Sequence, residues 1–378
     1  MATIDKSLPN TMTEVEIPGQ EEIVEAKEEA VEEISSDGQT EIEMDEEGGA
    51  TINFDPGEVN PEGGEDHDAN LADFLEDNVL DPLASELMEK YTNYKQSRQE
   101  WADSYREGLN LLGFKYVTRT EPFRGASSVT HPVLAEAVTQ FQAQAYKELL
   151  PADGPVRTQI MGDANVAKEE QSKRVKDFMN YQIMDQMKEY EPEFDQMLFY
   201  LPLSGSTFKK VYYDDLLGRA VSKFIPAEDL VVPYSATSLE DAEAVIHVIR
   251  MSPNDLRKQQ INGFYRDIDL GEPPVQEDKL KQKELELEGV SSNGTEDMYT
   301  ILEMHVDVDL EGHEDVNPED GEPTGIKLPY IITIDEANEK VLSIRRNYAP
   351  EDPLKKKKDY FVHFKFLPGL GFYGLGLI

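Results

Sequence analysis

The sequence contains no cysteine, which excludes disulfides and thiolate metal centres. Histidine and tryptophan are scarce, at six and one in 378 residues, so few imidazoles are on hand for proton transfer or metal ligation. Positive charge is short as well: 36 Lys and Arg face 77 Asp and Glu, a balance of −41. Such a chain does not grip nucleic acid through clustered phosphate contacts, although DNA can slide past an acidic surface without sticking. No apolar run reaches the length of about eighteen residues that marks a membrane-spanning helix. The N-terminus lacks the basic-then-apolar pattern of a secretory signal. No phosphate loop ending in Gly-Lys-Ser/Thr occurs, and no two histidines fall at metal-ligand spacing on one helix.

What is present is unevenly distributed. Between Met1 and Asn78 there are 25 acidic residues and two basic ones, Lys6 and Lys27. Residues 1–70 contain a single aromatic, Phe54. That composition cannot bury enough apolar area to offset ordering entropy, and predicts a disordered acidic leader over 1–70. Order is expected from Leu71.

Asp81-Pro82 reads as a helix start. Leu83, Leu87, Tyr91, Tyr94, Trp101, Tyr105, Leu109 and Leu112 then form one apolar stripe, which predicts a long helix ending at Gly113. His131-Pro132 opens a second helix with Val133, Leu134, Ala137, Phe141, Ala145 and Leu149 on its apolar side. Further helices are expected over about 164–187 and 192–201. Alternation then predicts strands at 207–213, 220–225, 230–233 and 244–251. Ser252-Pro253 caps a helix to Ile261, closed by Gly263. Residues 271–296 read as an exposed charged helix between linkers. Strands follow at 299–310, 327–334, 341–346 and 360–366. Helices first and strands afterwards, with no regular βαβ alternation, give an α+β fold. The expected divisions are 1–70 leader, 71–295 helix-rich α+β body, 296–366 β-rich body and 367–378 glycine-rich joint.

Three motifs invite chemistry. Gly369-Leu-Gly371-Phe-Tyr-Gly374 fits a dinucleotide-binding glycine pattern, but it lacks the helix and the acidic residue that such a site requires. Its glycines read instead as a flexible joint. Asp307-Val-Asp309-Leu-Glu311-Gly312 resembles half a calcium loop, yet position twelve is Pro318 and the flanks are strands. The same three carboxylates, Asp307, Asp309 and Glu311, are the material for an alternative reading as a metal-dependent nuclease or hydrolase. Lys355–Lys358 is the one basic run and reads as a solvated turn. His305 and His363 lie in strands, where surface or satisfied core positions are the usual outcome. No residue is assigned a catalytic, cofactor-binding or metal-ligating role, and the chain reads as non-enzymatic.

Several segments in order resemble the portal proteins of tailed bacteriophages, of the podovirus type. These are Pro122-Phe-Arg-Gly-Ala-Ser-Ser-Val-Thr-His-Pro132 with Glu136, Leu201–Asp214, Pro226–Pro233, His247–Pro253 with Gly263–Arg266, and Phe366–Gly374. The likeness covers about residues 80–378 and leaves out the acidic leader. It implies a wing-like α+β body and a homo-oligomeric, typically dodecameric, ring at one capsid vertex of the virion, assembled in the host cytoplasm. Its partners would be the terminase, capsid and tail or adaptor proteins, with double-stranded DNA passing through the channel without sequence-specific binding, and no membrane. The resemblance also implies stem, clip and crown regions beyond Ile378. On that expectation the chain is an N-terminal portion, and Phe372, Tyr373, Leu375, Leu377 and Ile378 pack against parts not contained in it.

Overall fold

In the computed structural model the described residues are 41–44, 50–53, 67–112, 123, 131–163, 165–214, 217–273, 279–287, 298–316, 323–369 and 371–378. The chain divides into two compact units, Met1–Asp66 and His67–Ile378. In the first, Glu41–Met44 (β1) pairs antiparallel with Ala50–Asn53 (β2), placing Ile42 opposite Ile52. This hairpin departs from the expectation of a structureless leader. The β-branched Ile42, Thr51 and Ile52, with Gly48-Gly49 between them in sequence, supply a local strand preference that average composition hides. The remainder of that expectation lies outside the described residues.

The second unit begins with a short 3₁₀ turn, Leu71–Asp73. Helices α1 (Asp77–Ser97), α2 (Gln99–Leu109), α3 (Val133–Leu149), α4 (Val166–Tyr181) and α5 (Tyr190–Ser204) follow. Next come β3 (Ser206–Asp214), β4 (Arg219–Pro226), β5 (Leu230–Val231), β6 (Ala244–Met251), α6 (Pro253–Ile261) and α7 (Lys279–Leu287). Four strands complete it: β7 (Tyr299–Val308), β8 (Leu328–Asp335), β9 (Lys340–Arg346) and β10 (Phe361–Lys365). The α+β class holds. Among the described residues no helix is long and apolar enough to cross a membrane.

Two antiparallel sheets result, one of five strands in the order β5-β6-β7-β8-β9 and one of three in the order β10-β3-β4. Both take strands from either side of residue 296, because β7 pairs with β6 and β10 returns to β3. A period of two sorts the residues of β7. Leu302, Met304 and Val306 face a core shared with Leu80, Leu87 and Tyr91 of α1. Tyr299 and Ile301 face the opposite way, into a core with Leu256 of α6 and Tyr265. The β9 edge is capped rather than open. Asn70 accepts from the Ile344 amide (2.9 Å) and donates to the Leu342 carbonyl (3.3 Å), satisfying edge groups that would otherwise template another strand. His67 is tied to the same strand, its carbonyl accepting from Arg346 at 3.1 Å.

The single long helix expected after Pro82 is two helices. The first starts at Asp77, with Pro82 inside it, and Arg98 leaves the helical region between α1 and α2. The stripe serves two different cores: its first half packs on the large sheet, while Tyr105, Leu109 and Leu112 pack with Val138 of α3 and Leu203. The apolar face of α3 is also rotated from expectation. Val138 is its one buried residue, and Val133, Ala137 and Leu149 point outward.

At the α5–β3 corner Gly205 takes a left-handed φ of +78°, closing the helix in the manner glycine permits. The glycine-rich segment docks here. The Leu377 amide donates to the Pro202 carbonyl (2.7 Å), Phe366 to Gly205 (3.0 Å) and Gly374 to Ser206 Oγ (2.7 Å). A Cβ on Gly376 would sit 2.8 Å from the Gly205 nitrogen, and one on Gly369 would sit 2.7 Å from the Tyr373 carbonyl. These glycines allow backbones to touch. The expectation that Phe372, Tyr373 and Ile378 lack partners is corrected: Phe372 is buried against Phe208 and His363, Tyr373 packs beside it, and Ile378 joins the Tyr105 core. Leu375 and Leu377 remain exposed.

Gly205→Ala should therefore cost about 2 kcal/mol, from left-handed strain plus a collision with the docked segment. Gly218→Ala, with φ +61° but open space around it, carries the strain alone and should cost about 1 kcal/mol. Urea unfolding of the two variants measures the difference, and equal costs would mean that the docked segment does not press on the corner.

Candidate functional site

The break between α1 and α2 is explained by where the Arg98 side chain goes. Its guanidinium donates to the carbonyls of Ala227 (2.7 Å) and Leu230 (2.9 Å), to that of Glu228, and to Tyr373 Oη (3.2 Å). The first three carbonyls belong to the 3₁₀ turn Ala227–Asp229 and its exit, the passage from β4 in the small sheet to β5 in the large one. A turn wound this tightly directs carbonyls away from any ladder, and a planar fork of five donors can meet several at once. The same cation lies 5.7 Å from the Trp101 ring centroid and 6.0 Å from that of Tyr373. Trp101 is stacked between Tyr105 (5.5 Å) and Tyr373 (5.6 Å), and Tyr373 Oη donates to the Leu230 carbonyl at 3.1 Å. One side chain thus joins the helices, the crossing between sheets and the glycine-rich segment.

A second cluster lies where the sheets face each other. Lys210 of β3 reaches Glu303 of β7 at 2.5 and 2.6 Å, one distance to each carboxylate oxygen. His305 Nε2 donates to Glu303 at 2.9 Å, an assignment forced by an ionised carboxylate that can only accept. Phe361 of β10 covers the group, with its ring 4.9 Å from His305 and 6.0 Å from His247. Burial pushes the Glu303 carboxyl up. The Lys210 charge and the His305 hydrogen bond outweigh that and hold it well below the usual range. Burial, which penalises the imidazolium, pushes His247 down to about 3 and lowers His305. His363 falls to about 4 for the same reason, with the nearby Lys365 charge adding to it, and its Nε2 lies 3.0 Å from Ser206 Oγ.

Between α5 and the small sheet, Lys209 is buried with its ammonium 4.1 Å from the Tyr190 ring centroid and 5.2 Å from that of Phe194. Desolvation lowers its pKa to about 8 against the opposing pull of Glu193 and Glu189. All three groupings clamp one layer to another.

Of the residues singled out by sequence, His305 and His363 have partners within the sheets, as strand histidines usually do, and the acidic and basic candidates lie nearer the surface. Asp307 lies on the solvent side near the end of β7 and Asp309 just beyond it, Glu311 is exposed in the following turn, and partial burial raises the Asp307 carboxyl. No group of three or more His, Asp or Glu side chains able to hold a metal occurs among the described residues. The basic run is not simply a solvated tip. Lys355 pairs with Asp315 at 2.5 Å and Lys357 donates to the Leu239 carbonyl at 3.2 Å, while Lys356 and Lys358 are exposed. The Gly-Ala-Ser segment falls outside the described residues apart from Phe123, His131 and Pro132. Arg98, Lys210 and Glu303 carry the site, and sequence reasoning singled out none of them. The one available signal was Arg98 at a polar interruption of the apolar stripe.

Two outcomes follow from this geometry. Arg98→Met should destabilise the protein by about 3 kcal/mol by stranding carbonyls. It should also shift the emission of Trp101, the only tryptophan. Arg98→Lys should recover little, since a point charge cannot reach the same set of carbonyls. Stability should also fall on mild acidification. His247 and His363 stay neutral when folded but protonate near 6.5 when unfolded, so their contribution is complete above pH 6.5 and is lost as pH drops towards 4. A loss of about 2 kcal/mol per pH unit, about 1 from each histidine, is expected between pH 6 and 5, before carboxylates titrate. A flat stability profile across that window would rule out buried neutral imidazoles. The chain matches no protein-family model and no curated protein.

Proposed function

We propose that this chain is the body of a portal-type ring subunit, a mechanical component of a tailed-phage virion and not a catalyst. The observation that carries the reading is spatial. Three of the segments that resemble portal proteins, far apart in sequence, meet at one junction. Leu201–Asp214 contains the α5–β3 corner, Pro226–Pro233 contains the turn held by Arg98, and Phe366–Gly374 docks between them through Gly374, Phe372 and Tyr373. A resemblance by chance would have no reason to collect its pieces at one junction, where the half-buried Arg98 reaches two of them and Ser206 joins the third.

A subunit of this kind assembles into a closed, typically dodecameric ring at a single capsid vertex. Such a ring receives the terminase during packaging and the tail afterwards, and double-stranded DNA passes through its channel. Its task is to hold shape under load, and the layers joined by Arg98, Lys209 and Lys210 suit that task. The overall charge of −41 suits a conduit that does not trap DNA. Assembly would take place in the host cytoplasm and end in the virion.

Negative-stain electron microscopy of the protein expressed from its whole reading frame tests this. Closed rings with a central channel are expected. Folded protein that gives only monomers or open fibres would sink the reading, as would magnesium-dependent DNA cleavage abolished by Asp307→Asn.

A further inference from the structure

Helix α4 is built inside out. Its inward side carries polar residues that hold the preceding segment. Asn180 Oδ1 accepts from the Val156 amide (2.9 Å), Ser172 Oγ donates to Thr158 Oγ1 (2.8 Å), and Thr158 Oγ1 donates to the Ser172 carbonyl (3.1 Å). No side chain of α4 is buried. Its bulky apolar residues face away from the chain: Phe178 is 58% exposed, Tyr181 50% and Val175 43%. On a helix these three project together, because three- and four-residue steps return to one face. A soluble helix normally turns that stripe towards its own core. The outward side of α3 is different in kind. It exposes the small Ala137 and Ala143 with Gln140 and Gln144, around Glu136 and Lys147, whose opposite charges offset one another.

Charge identifies what covers α4. Residues 131–188, spanning both helices, hold seven basic and eight acidic side chains, a balance of −1 in a chain of −41. Two copies repel one another across most of their surface. At physiological salt that repulsion is screened beyond about 8–10 Å, so the local balance at the contact decides whether it forms. The stretch that spans α3 and α4 combines near-neutrality with exposed apolar area, which is what self-association of a strongly acidic chain requires. A basic partner would be drawn to the acidic surfaces instead.

We infer that the outward face of α4 docks on the outward face of α3 of a second copy, with Phe178, Tyr181 and Val175 seated over Ala137 and Ala143. The contact is head-to-tail, each copy offering a different patch on each side, and such contacts close into rings when the rotation allows. As a statement of where subunits of the proposed ring meet, it rests on that reading, and the experiment separates the two.

Sedimentation velocity of the full chain should show reversible association at micromolar concentration. Phe178→Glu and Ala137→Glu should each weaken it about tenfold or more. Both should retain the circular dichroism spectrum and thermal midpoint of the parent, and Tyr181→Glu replaces either variant that fails to fold. Mixing the two variants is the decisive arm. Phe178→Glu retains a sound α3 face and Ala137→Glu a sound α4 face, so the mixture should form a one-to-one dimer that neither forms alone. A monomeric parent, variants that associate normally, or a mixture that does not pair would each overturn the inference. Rings that persist in Phe178→Glu would remove this contact and leave the ring reading intact. Association lost in both variants, with no rings from the parent, would do the reverse.

Discussion

The structure depends on a single half-buried guanidinium doing what backbone alone cannot. Where the chain leaves β4 and turns into β5, the 3₁₀ turn Ala227–Asp229 takes the carbonyls of Ala227 and Glu228 out of the strands, and Leu230 follows at once in β5. A carbonyl removed from water without a donor costs more than most single contacts return. Arg98 meets all three from a position some 130 residues earlier in the chain, and to reach them it interrupts the helix that carries it. The crossing between sheets, the angle between α1 and α2, and the seat for Tyr373 follow from that one placement. Trp101 then fills the remaining space by stacking between Tyr105 and Tyr373.

This also explains which parts of the fold could be read from sequence. Strands β3, β4, β6, β8 and β9, and the Ser252-capped helix, follow from residues adjacent to one another, and the expected ranges agree with those observed to within a residue or two. Ser252 Oγ accepts from the Asp255 amide at 3.2 Å, as the Ser-Pro start implies. The division of one apolar stripe into two helices was not legible, because its cause is tertiary. Sequence periodicity reports that Leu87 and Leu109 are apolar on one side. It does not report that the first belongs under a sheet and the second against α3. The glycine-rich end shows the same ambiguity in another form. Glycine permits both looseness and close approach, and the choice was made by Gly205 and Ser206, far away in sequence.

The charged cluster between the sheets was hidden for a related reason. Lys210 and Glu303 occupy the alternating polar positions of their strands, which in a single isolated sheet face water. Packing the three-stranded sheet over the same face buries both, and a buried charge is tolerable only with its partner in place. The pair is then worth more as a constraint than as a source of stability. A lysine on β3 and a glutamate on β7 fix the register in which two sheets lie on one another, since sliding by one residue would strand both ions. Phe361 closes the cluster from β10, so the strand added last in sequence also seals it.

Two kinds of surface result, and they differ in how they are stabilised. The sheets and α1 are held from within, by cores on both faces of β7 and by ions paired across layers. Helix α4 has no such interior. Sixteen residues with no buried side chain make a helix of marginal stability in water, because propagation gains scarcely exceed the cost of nucleation. Its hydrogen bonds to Val156 and Thr158 position it without supplying apolar burial. In the proposed assembly, covering Phe178 and Tyr181 against a neighbour would supply the missing term, and a helix ordered in that way would couple its own stability to assembly. Each subunit would then stiffen the element by which the next is held, so rigidity at α4 would be a property of the proposed assembly, while rigidity at the Arg98 junction belongs to the single chain.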